Sequence, residues 1–140
     1  MDGQVLDVLC KLPNLKLIIF QHLFYVGAQL VVCTKHEFPA LKEIRVYADC
    51  PAGQYPEVIQ FEEGSMKVLE KLSVNFSHWT SKRIAGIKHL KNLKEVRLAG
   101  TKYNPALSRA LEELEKERNS RSDPSRFKVT VSYDHGYNTI

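Results

Sequence analysis

One spacing of large apolar residues recurs four times between residues 12 and 98 of this chain. Each occurrence has the form LxxLxxLxL, where L is a large apolar residue, and successive occurrences begin 26, 28 and 24 residues apart. The apolar positions are Leu12, Leu15, Ile18 and Phe20; Phe38, Leu41, Ile44 and Val46; Met66, Leu69, Leu72 and Val74; and Leu90, Leu93, Val96 and Leu98. A pattern with a period of about 20–29 residues constrains the fold strongly, because it requires one structural unit to be stacked several times.

The spacing within each segment predicts a turn followed by a strand. The last two apolar residues are separated by one residue, which is the period of a strand with one buried face. The first two fit the turn before the strand, where Pro13 and Pro39 are tolerated because they precede the strand hydrogen bonds. One strand cannot bury its apolar side alone, so stacked segments are expected to form a parallel sheet. The sequence therefore predicts an α/β fold: a short leucine-rich-repeat solenoid with parallel strands on its concave face and an irregular or helical convex side.

The segments between the predicted strands are expected to lie on the convex side. Residues 30–32 and 58–61 are short apolar stretches that predict extended pieces. Residues 81–89 fit one or two helical turns whose apolar side chains face inward. Before the first segment, Asp2 or Gly3 can cap a short helix.

After the fourth predicted strand the pattern changes to that of a terminal cap. Asn104 can cap a helix that begins with Pro105 and carries a stripe of leucines on one face. Residues 127–133 alternate between apolar and polar side chains, which predicts a closing edge strand. The expected organisation is one domain over residues 1–133, with repeats at about 12–37, 38–65, 66–89 and 90–103, a cap at 104–133, and a flexible tail at 134–140.

Composition and motifs predict a protein that is not an enzyme. With 44% hydrophobic residues, a chain of 140 residues can bury a core without disulfides, which excludes general disorder. The three cysteines contain no CxxC pair and the five histidines show no ligand spacing, so we expect no metal and no cofactor. Free thiols, the lack of a signal peptide and the lack of a membrane-length apolar stretch predict a cytoplasmic, intracellular protein without membrane contact, with the nucleus left open as a second compartment.

The charge is unevenly distributed along the chain. The net charge is +4, and it divides into −3 over residues 1–70 and +7 over residues 71–140. A basic half is compatible with a nucleic-acid partner. Most of its cations alternate with glutamates, however, which is typical of a solvated surface, so nucleic-acid binding is the least favoured interpretation.

Side chains that alternate with the buried ones predict a surface of in-register rows on the concave face, because neighbouring strands lie about 4.8 Å apart. One row alternates in sign, which predicts a ladder of exposed ion pairs that needs no partner. Its members are Glu43, Lys71, Glu95 and Lys128. A second row brings Arg45 and Arg97 near aromatic residues, the composition of interaction hot spots. The predicted partner-binding residues are His22, Arg45, Tyr47, Asn75, Phe76, Arg97 and Tyr133. The alternative is that Phe76 and Tyr133 pack at the sheet edge or on the convex loops.

The first predicted strand differs from the others on its outward side. Leu17 and Ile19 alternate with the inward residues and should be exposed, although both are large and apolar. Exposed apolar clusters are typical of an interface, or of a surface that is buried by a neighbouring part of the molecule. We therefore expect this end of the stack to be open and to support self-association.

Three stretches of the sequence resemble a known family. FPALKEI at 38–44, FEEGSMKVLEKL at 61–72 and GIKHLKNLKEV at 86–96 are similar to the last leucine-rich repeats of plant intracellular immune receptors. The most similar kind is the coiled-coil, nucleotide-binding, leucine-rich-repeat disease-resistance proteins of grasses, and the resemblance covers roughly residues 10–133. The chain has no GxxxxGK[ST] phosphate loop, so it resembles the C-terminal part of such a receptor without its nucleotide switch.

The resemblance implies protein–protein recognition in effector-triggered defence. It implies a C-terminal module for ligand recognition and autoinhibition, whose partner is a pathogen effector or the receptor's own nucleotide-binding domain. The alternative is a free-standing leucine-rich-repeat scaffold or decoy with an unrelated protein partner.

Overall fold

The computed structural model describes residues 8–20, 29–32, 38–47, 58–76, 83–122 and 126–134. This part of the chain contains eight strands, one complete α-helix, one short 3-10 helix and, at residues 8–9, the end of a further helix. Asp2 and Gly3, the predicted caps of that first helix, lie outside the described residues. The strands are β1 (Leu17–Phe20), β2 (Gln29–Val32), β3 (Glu43–Tyr47), β4 (Val58–Phe61), β5 (Lys71–Asn75), β6 (Arg83–Ala85), β7 (Glu95–Thr101) and β8 (Lys128–Asp134). The α-helix α1 spans Pro105–Ser120, and the 3-10 helix spans Ile87–His89.

The strands form two sheets, and up to β7 the chain alternates between them. The first sheet has five strands in the order β1-β3-β5-β7-β8, and the second has three in the order β2-β4-β6. Every strand pair in both sheets is parallel, and neither sheet closes into a barrel. The fold is therefore α/β with parallel sheets, as the sequence pattern predicts.

The register of the five-stranded sheet places equivalent apolar positions side by side. Ile18 pairs with Ile44, Ile44 with Leu72, and Leu72 with Val96, which in turn pairs with Val129 of β8. The first four of these side chains are buried, and Val129 packs against the same core. The inward side of this sheet packs against buried aliphatic and aromatic residues of the second sheet. Those residues are Val32, Ile59, Phe61 and Ile84.

The four apolar segments share one local structure before each strand. In each, the amide of the second apolar residue donates to the carbonyl of the first, with N···O distances between 3.2 and 3.4 Å. The residue directly after the second apolar residue links the segments, because its carbonyl accepts hydrogen bonds from two amides of the next segment. These linking carbonyls belong to Lys16, Lys42 and Glu70. The predicted turn before each strand is thus confirmed, and its hydrogen bonds connect successive segments.

Three segments connect the strands β1, β3, β5 and β7 of the first sheet. Two of them have the predicted structure, and the third differs from it. Residues 29–32 and 58–61 are strands β2 and β4, as predicted. The prediction of helical turns over 81–89 is wrong for residues 83–85, which form β6, and right for the 3-10 helix that follows. Ile84 pairs with Ile59 of the neighbouring β4 and is buried, so sheet pairing determines the local conformation there.

Gly86 lies between β6 and the 3-10 helix and is required by the geometry. Its φ of +86° is in the left-handed region, where glycine has no steric penalty. A Cβ at this position would lie 1.9 Å from the carbonyl oxygen of Phe61 in β4. The backbone at Gly86 therefore lies so close to β4 that a residue with a side chain does not fit there.

The cap has the predicted helix and edge strand. The Asn104 side chain accepts hydrogen bonds from the amides of Ala106 (2.8 Å) and Leu107 (3.4 Å), which satisfies two donors at the start of α1. Leu107 and Leu114 are buried, whereas Leu111 is half-buried. The cap strand β8 pairs with β7 and continues through residue 134, which the sequence assigned to the tail. Residues 135–140 of that predicted tail lie outside the described residues.

Arg121 joins the cap to the fourth segment. Its guanidinium donates to the carbonyls of Leu90 (3.1 Å) and Ile87 (3.0 Å) and pairs with Glu117 at 2.9 Å. The guanidinium carbon also lies 4.9 Å from the centre of the Phe127 ring. Although Arg121 directly follows the last residue of α1, its side chain is only 9% exposed and contacts three elements.

Candidate functional site

The outward side of the five-stranded sheet carries the polar residues that alternate with the core. We call this surface the polar face and define it by its described residues on β3, β5, β7 and β8. They are Glu43, Arg45, Lys71, Ser73, Asn75, Glu95, Arg97, Ala99, Thr101, Lys128, Thr130 and Ser132. The strand period of two residues places them all on the side opposite the aliphatic core.

The strand register confirms both predicted rows of the polar face. Glu43 pairs with Lys71, Lys71 with Glu95, and Glu95 with Lys128, so the charges alternate across four strands. In the second row, Ser73 lies between Arg45 and Arg97 across the sheet, and Thr130 pairs with Arg97 on its other side. The arginines are therefore two strands apart on the same surface.

The carboxylates of the polar face bind arginines of their own strand. Arg45 Nε lies 2.6 Å from Glu43 Oε2, and Arg97 Nε lies 2.9 Å from Glu95 Oε2. Residues two apart on a strand point to the same side, so each pair is local in sequence. The pKa of Glu95 is lowered, chiefly by the hydrogen bond from Arg97 and further by the charge of Arg97. The cross-strand lysines of the predicted ladder, Lys71 and Lys128, lower it as well through their charges.

The two arginines also influence each other. The pKa of Arg97 is raised, chiefly by its hydrogen bond to Glu95 and by the charge of that carboxylate. The charges of Glu43 and Arg45 act on the same guanidinium in opposite directions, and that of Arg45 lowers the pKa. The pair of cations is thus close enough for mutual repulsion, which neighbouring carboxylates offset.

A shallow groove of about 340 Å³ runs over the middle of the polar face. Arg45 and Arg97 line it together with hydroxyl and amide groups of β5 and β8. Those polar groups belong to Ser73, Asn75, Thr130 and Ser132. The groove can therefore offer two cations and several hydrogen-bonding groups to a bound molecule.

Three of the seven predicted partner-binding residues line this groove. They are Arg45, Asn75 and Arg97. The prediction that Tyr133 lies on this face is wrong: it alternates with the outward Ser132, so it lies on the core side of β8, paired with Gly100, although it is 42% exposed near the end of the strand. For Tyr47 the structure describes the β3 backbone but not the side chain, and His22 lies outside the described residues.

The prediction that Phe76 is exposed on this face is wrong. Phe76 is 0% exposed, and its amide donates to the carbonyl of Ala99 at 2.8 Å. It follows Leu72 and Val74 at intervals of two residues, so it continues the inward row of β5. Strict alternation would have assigned it to the core.

The hydroxyl residues of the groove are not among the predicted partner-binding residues. Ser73, Thr130 and Ser132 lack any distinctive motif, and only the register that aligns β5, β7 and β8 brings them together. At the edge of the polar face, Glu70 bridges Lys42 (3.2 Å) and Lys94 (3.5 Å) on the neighbouring segments.

Two other kinds of site are absent from the described ranges. Within residues 8–20, 29–32, 38–47, 58–76, 83–122 and 126–134, no group of three histidine, cysteine or acidic side chains is placed to bind a metal ion. In the same part of the chain, no helix combines the length and apolar character needed to cross a bilayer.

The chain matches no protein-family model, no curated protein and no solved structure.

Proposed function

We propose that this chain is a leucine-rich-repeat solenoid that recognises a protein partner through the polar face. The repeat assignment is supported by the turn and the linking carbonyl that recur before the strands of the first sheet. The observation that carries the function is the groove, in which two arginines oriented by Glu43 and Glu95 flank Ser73. Arginines held in place on a rigid sheet are typical of protein recognition, because little side-chain entropy is lost on binding.

The resemblance to plant immune receptors gives the proposal its biological content. In this proposal the chain serves as the C-terminal recognition and autoinhibition part of an intracellular receptor. Its partner is a pathogen effector or the receptor's own nucleotide-binding domain, in the cytoplasm. A free-standing scaffold or decoy with an unrelated protein partner is the alternative. A nucleotide-binding domain encoded upstream in the same open reading frame would favour the receptor.

Nucleic-acid binding is disfavoured by the composition of the polar face. Glu43 and Glu95 lie in the same row as Lys71 and Lys128, so a phosphate backbone that followed the row would meet a carboxylate at alternate strands. Phosphate binding weakens steeply as salt concentration rises. A titration of an oligonucleotide at two salt concentrations therefore tests this third interpretation.

Affinity capture from plant extract tests the proposed function. The immobilised chain is compared with Ser73→Trp, which fills the groove without changing its charge, and with Ser108→Trp on the exposed side of α1. Proteins retained by the unaltered chain and by Ser108→Trp should be lost with Ser73→Trp, while circular dichroism shows that both variants are folded. Retention of the same proteins by Ser73→Trp would exclude the polar face as the binding surface.

Self-association at the β1 edge is a second candidate, favoured by one observation. Leu17 and Ile19 are 37% and 45% exposed, and Leu12 is exposed on the same segment. Clusters of this kind are typical of an interface. Sedimentation equilibrium should show a concentration-dependent mass that Leu17→Lys with Ile19→Lys abolishes. A monomer at all concentrations of the unaltered chain would exclude this contact.

A further inference from the structure

We propose that the partner segment bound by the polar face is acidic, with two carboxylates at alternate positions of an extended chain, bound between Arg45 and Arg97. This inference rests on the proposed function and specifies the chemistry of its partner. It follows from three properties of the groove: its charge balance, the orientation of Arg97 and the spacing of its two arginines.

The charge balance of the polar face favours an anionic partner. In the two rows that hold the arginines and their carboxylates, the cations are Arg45, Lys71, Arg97 and Lys128 and the acids are Glu43 and Glu95, so these two rows carry an excess of two positive charges. Both carboxylates already have an arginine within 2.9 Å. A cationic segment would compete for occupied carboxylates, whereas an anionic one meets cations in excess.

The orientation of Arg97 leaves donors available for a ligand. Its Nε and Nη2 face the two oxygens of Glu95, at 2.9 and 3.5 Å, and its side chain is 60% exposed. A guanidinium carries five N–H donors, so the Nη1 edge remains for a further acceptor. The Glu95 contact also fixes the plane of the guanidinium before binding, which reduces the entropy lost on binding.

The spacing of the two arginines fits two carboxylates on one side of an extended chain. Arg45 and Arg97 are separated by one strand, so their backbones are about 10 Å apart. In an extended segment, alternate residues point to the same side and lie about 7 Å apart. Two such carboxylates fit between the arginines, each against one guanidinium, above the Ser73 hydroxyl.

Binding also acts against one unfavourable contribution within the free protein, which Glu95 and Glu43 already counteract. The charge of Arg45 acts against the charged form of Arg97, so the two cations repel each other across Ser73. An anion placed between them offsets this repulsion. The hydroxyls of Thr130 and Ser132 at the groove wall can then donate to the second oxygen of a carboxylate.

The experiment uses a synthetic peptide of stated composition and the full chain. An N-acetylated, C-amidated peptide with the sequence Ser-Asp-Ser-Asp-Ser is titrated into ¹⁵N-labelled protein at low salt, and amide shifts are followed. Three probes serve as controls: the same peptide with Asn for Asp, a peptide in which the two Asp residues are adjacent, and a thymidine oligonucleotide. The protein variants are Arg45→Gln, Arg97→Gln and, as a matched control on the exposed side of α1, Arg109→Gln.

The expected result is a set of shifts centred on Ser73, Asn75 and Thr130, with an affinity at least about tenfold higher than that of the Asn peptide. Adjacent Asp residues point to opposite sides, so that peptide should bind about threefold more weakly. Arg45→Gln and Arg97→Gln should each reduce affinity about fivefold or more, and Arg109→Gln should leave it unchanged.

Three outcomes would overturn the inference. They are equal binding of the Asn peptide, shifts that lie away from the groove, and tighter binding of the oligonucleotide to the same residues. The capture experiment separates this failure from that of the proposed function. If Ser73→Trp still abolishes partner capture while the acidic peptide does not bind, the polar face recognises a protein whose binding segment is not acidic. If Ser73→Trp captures the same proteins as the unaltered chain, the binding surface itself is wrong.

Discussion

Replacing Arg121 by methionine tests how the cap is held against the fourth segment. Methionine retains an apolar stem of similar length but removes the guanidinium. The carbonyl oxygens of Ile87 and Leu90 then lose their charged donor, and Glu117 loses its partner. The cation over the Phe127 ring is lost as well. The substitution therefore separates the contribution of the charged contacts from that of packing.

The structure gives the expected magnitude of this loss. A hydrogen bond from a charged donor contributes about 1.5–3 kcal/mol, and we take the lower value for each carbonyl because water can replace part of the interaction. Two such bonds amount to about 3 kcal/mol, and the ring contact adds about 0.5–1 kcal/mol. We expect the free energy of unfolding to fall by about 3.5–4 kcal/mol, which for a domain of this size corresponds to a decrease in Tm of about 12 °C.

Urea unfolding followed by far-ultraviolet circular dichroism measures the effect. Arg109→Met is the matched control, because Arg109 is exposed on α1, and it should change stability by less than about 0.5 kcal/mol. Arg121→Lys should lie between the two, since lysine keeps the charge but not the fork of donors. If Arg121→Met is as stable as Arg109→Met, the guanidinium does not hold the cap and the reasoning fails.

Three further perturbations test other parts of the fold. Gly86→Ala should destabilise by about 3 kcal/mol or more, because the added Cβ meets the Phe61 carbonyl and requires a strained φ; an unfolding midpoint equal to that of the unaltered chain would contradict the close approach. Asn104→Ala should cost about 1 kcal/mol by removing the cap of α1, and Asn104→Ser should recover most of it in the same urea assay. The pKa values of Glu70 and Glu95 are lowered from 4.5, chiefly by hydrogen bonds from Lys42 and Arg97 respectively, so their stabilising effect is present above pH 4.5 and is lost as the pH falls through the folded-state values. Glu70→Gln should therefore flatten the fall of Tm between pH 5 and about pH 3, and an unchanged slope would show that the Glu70 ion pairs do not contribute.

Much of the five-stranded sheet could be predicted from the sequence because its information is local. The apolar spacing fixes which residues of a strand face inward, and the recurrence of that spacing in four segments fixes which residues become neighbours across the sheet. Ile44 beside Leu72 and Glu43 beside Lys71 both follow from that rule. The helix start at Asn104 and Pro105 is equally local, since a cap depends on the identity of two or three adjacent residues.

The predicted site was less accurate because its residues were chosen by chemical type as well as by position. Phe76 was assigned to the surface as an exposed aromatic, although it continues the inward row of Leu72 and Val74 and is buried. Ser73 and Thr130 carry no motif that distinguishes them from other surface hydroxyl residues. Only the aligned strands show that they line one groove with the arginines.

The sequence by itself determined the strands of the first sheet, their register and the identity of the cap, because period and capping signals act over a few residues. The tertiary structure alone decided three other features. Residues 83–85 became a strand because β4 offered a parallel edge, Arg121 became a structural residue because two carbonyls of a distant turn lie within reach, and Glu95 bonded to Arg97 in preference to the lysines of its own row. In each case the partner is selected by distance in space, which the spacing of residues along the chain does not specify.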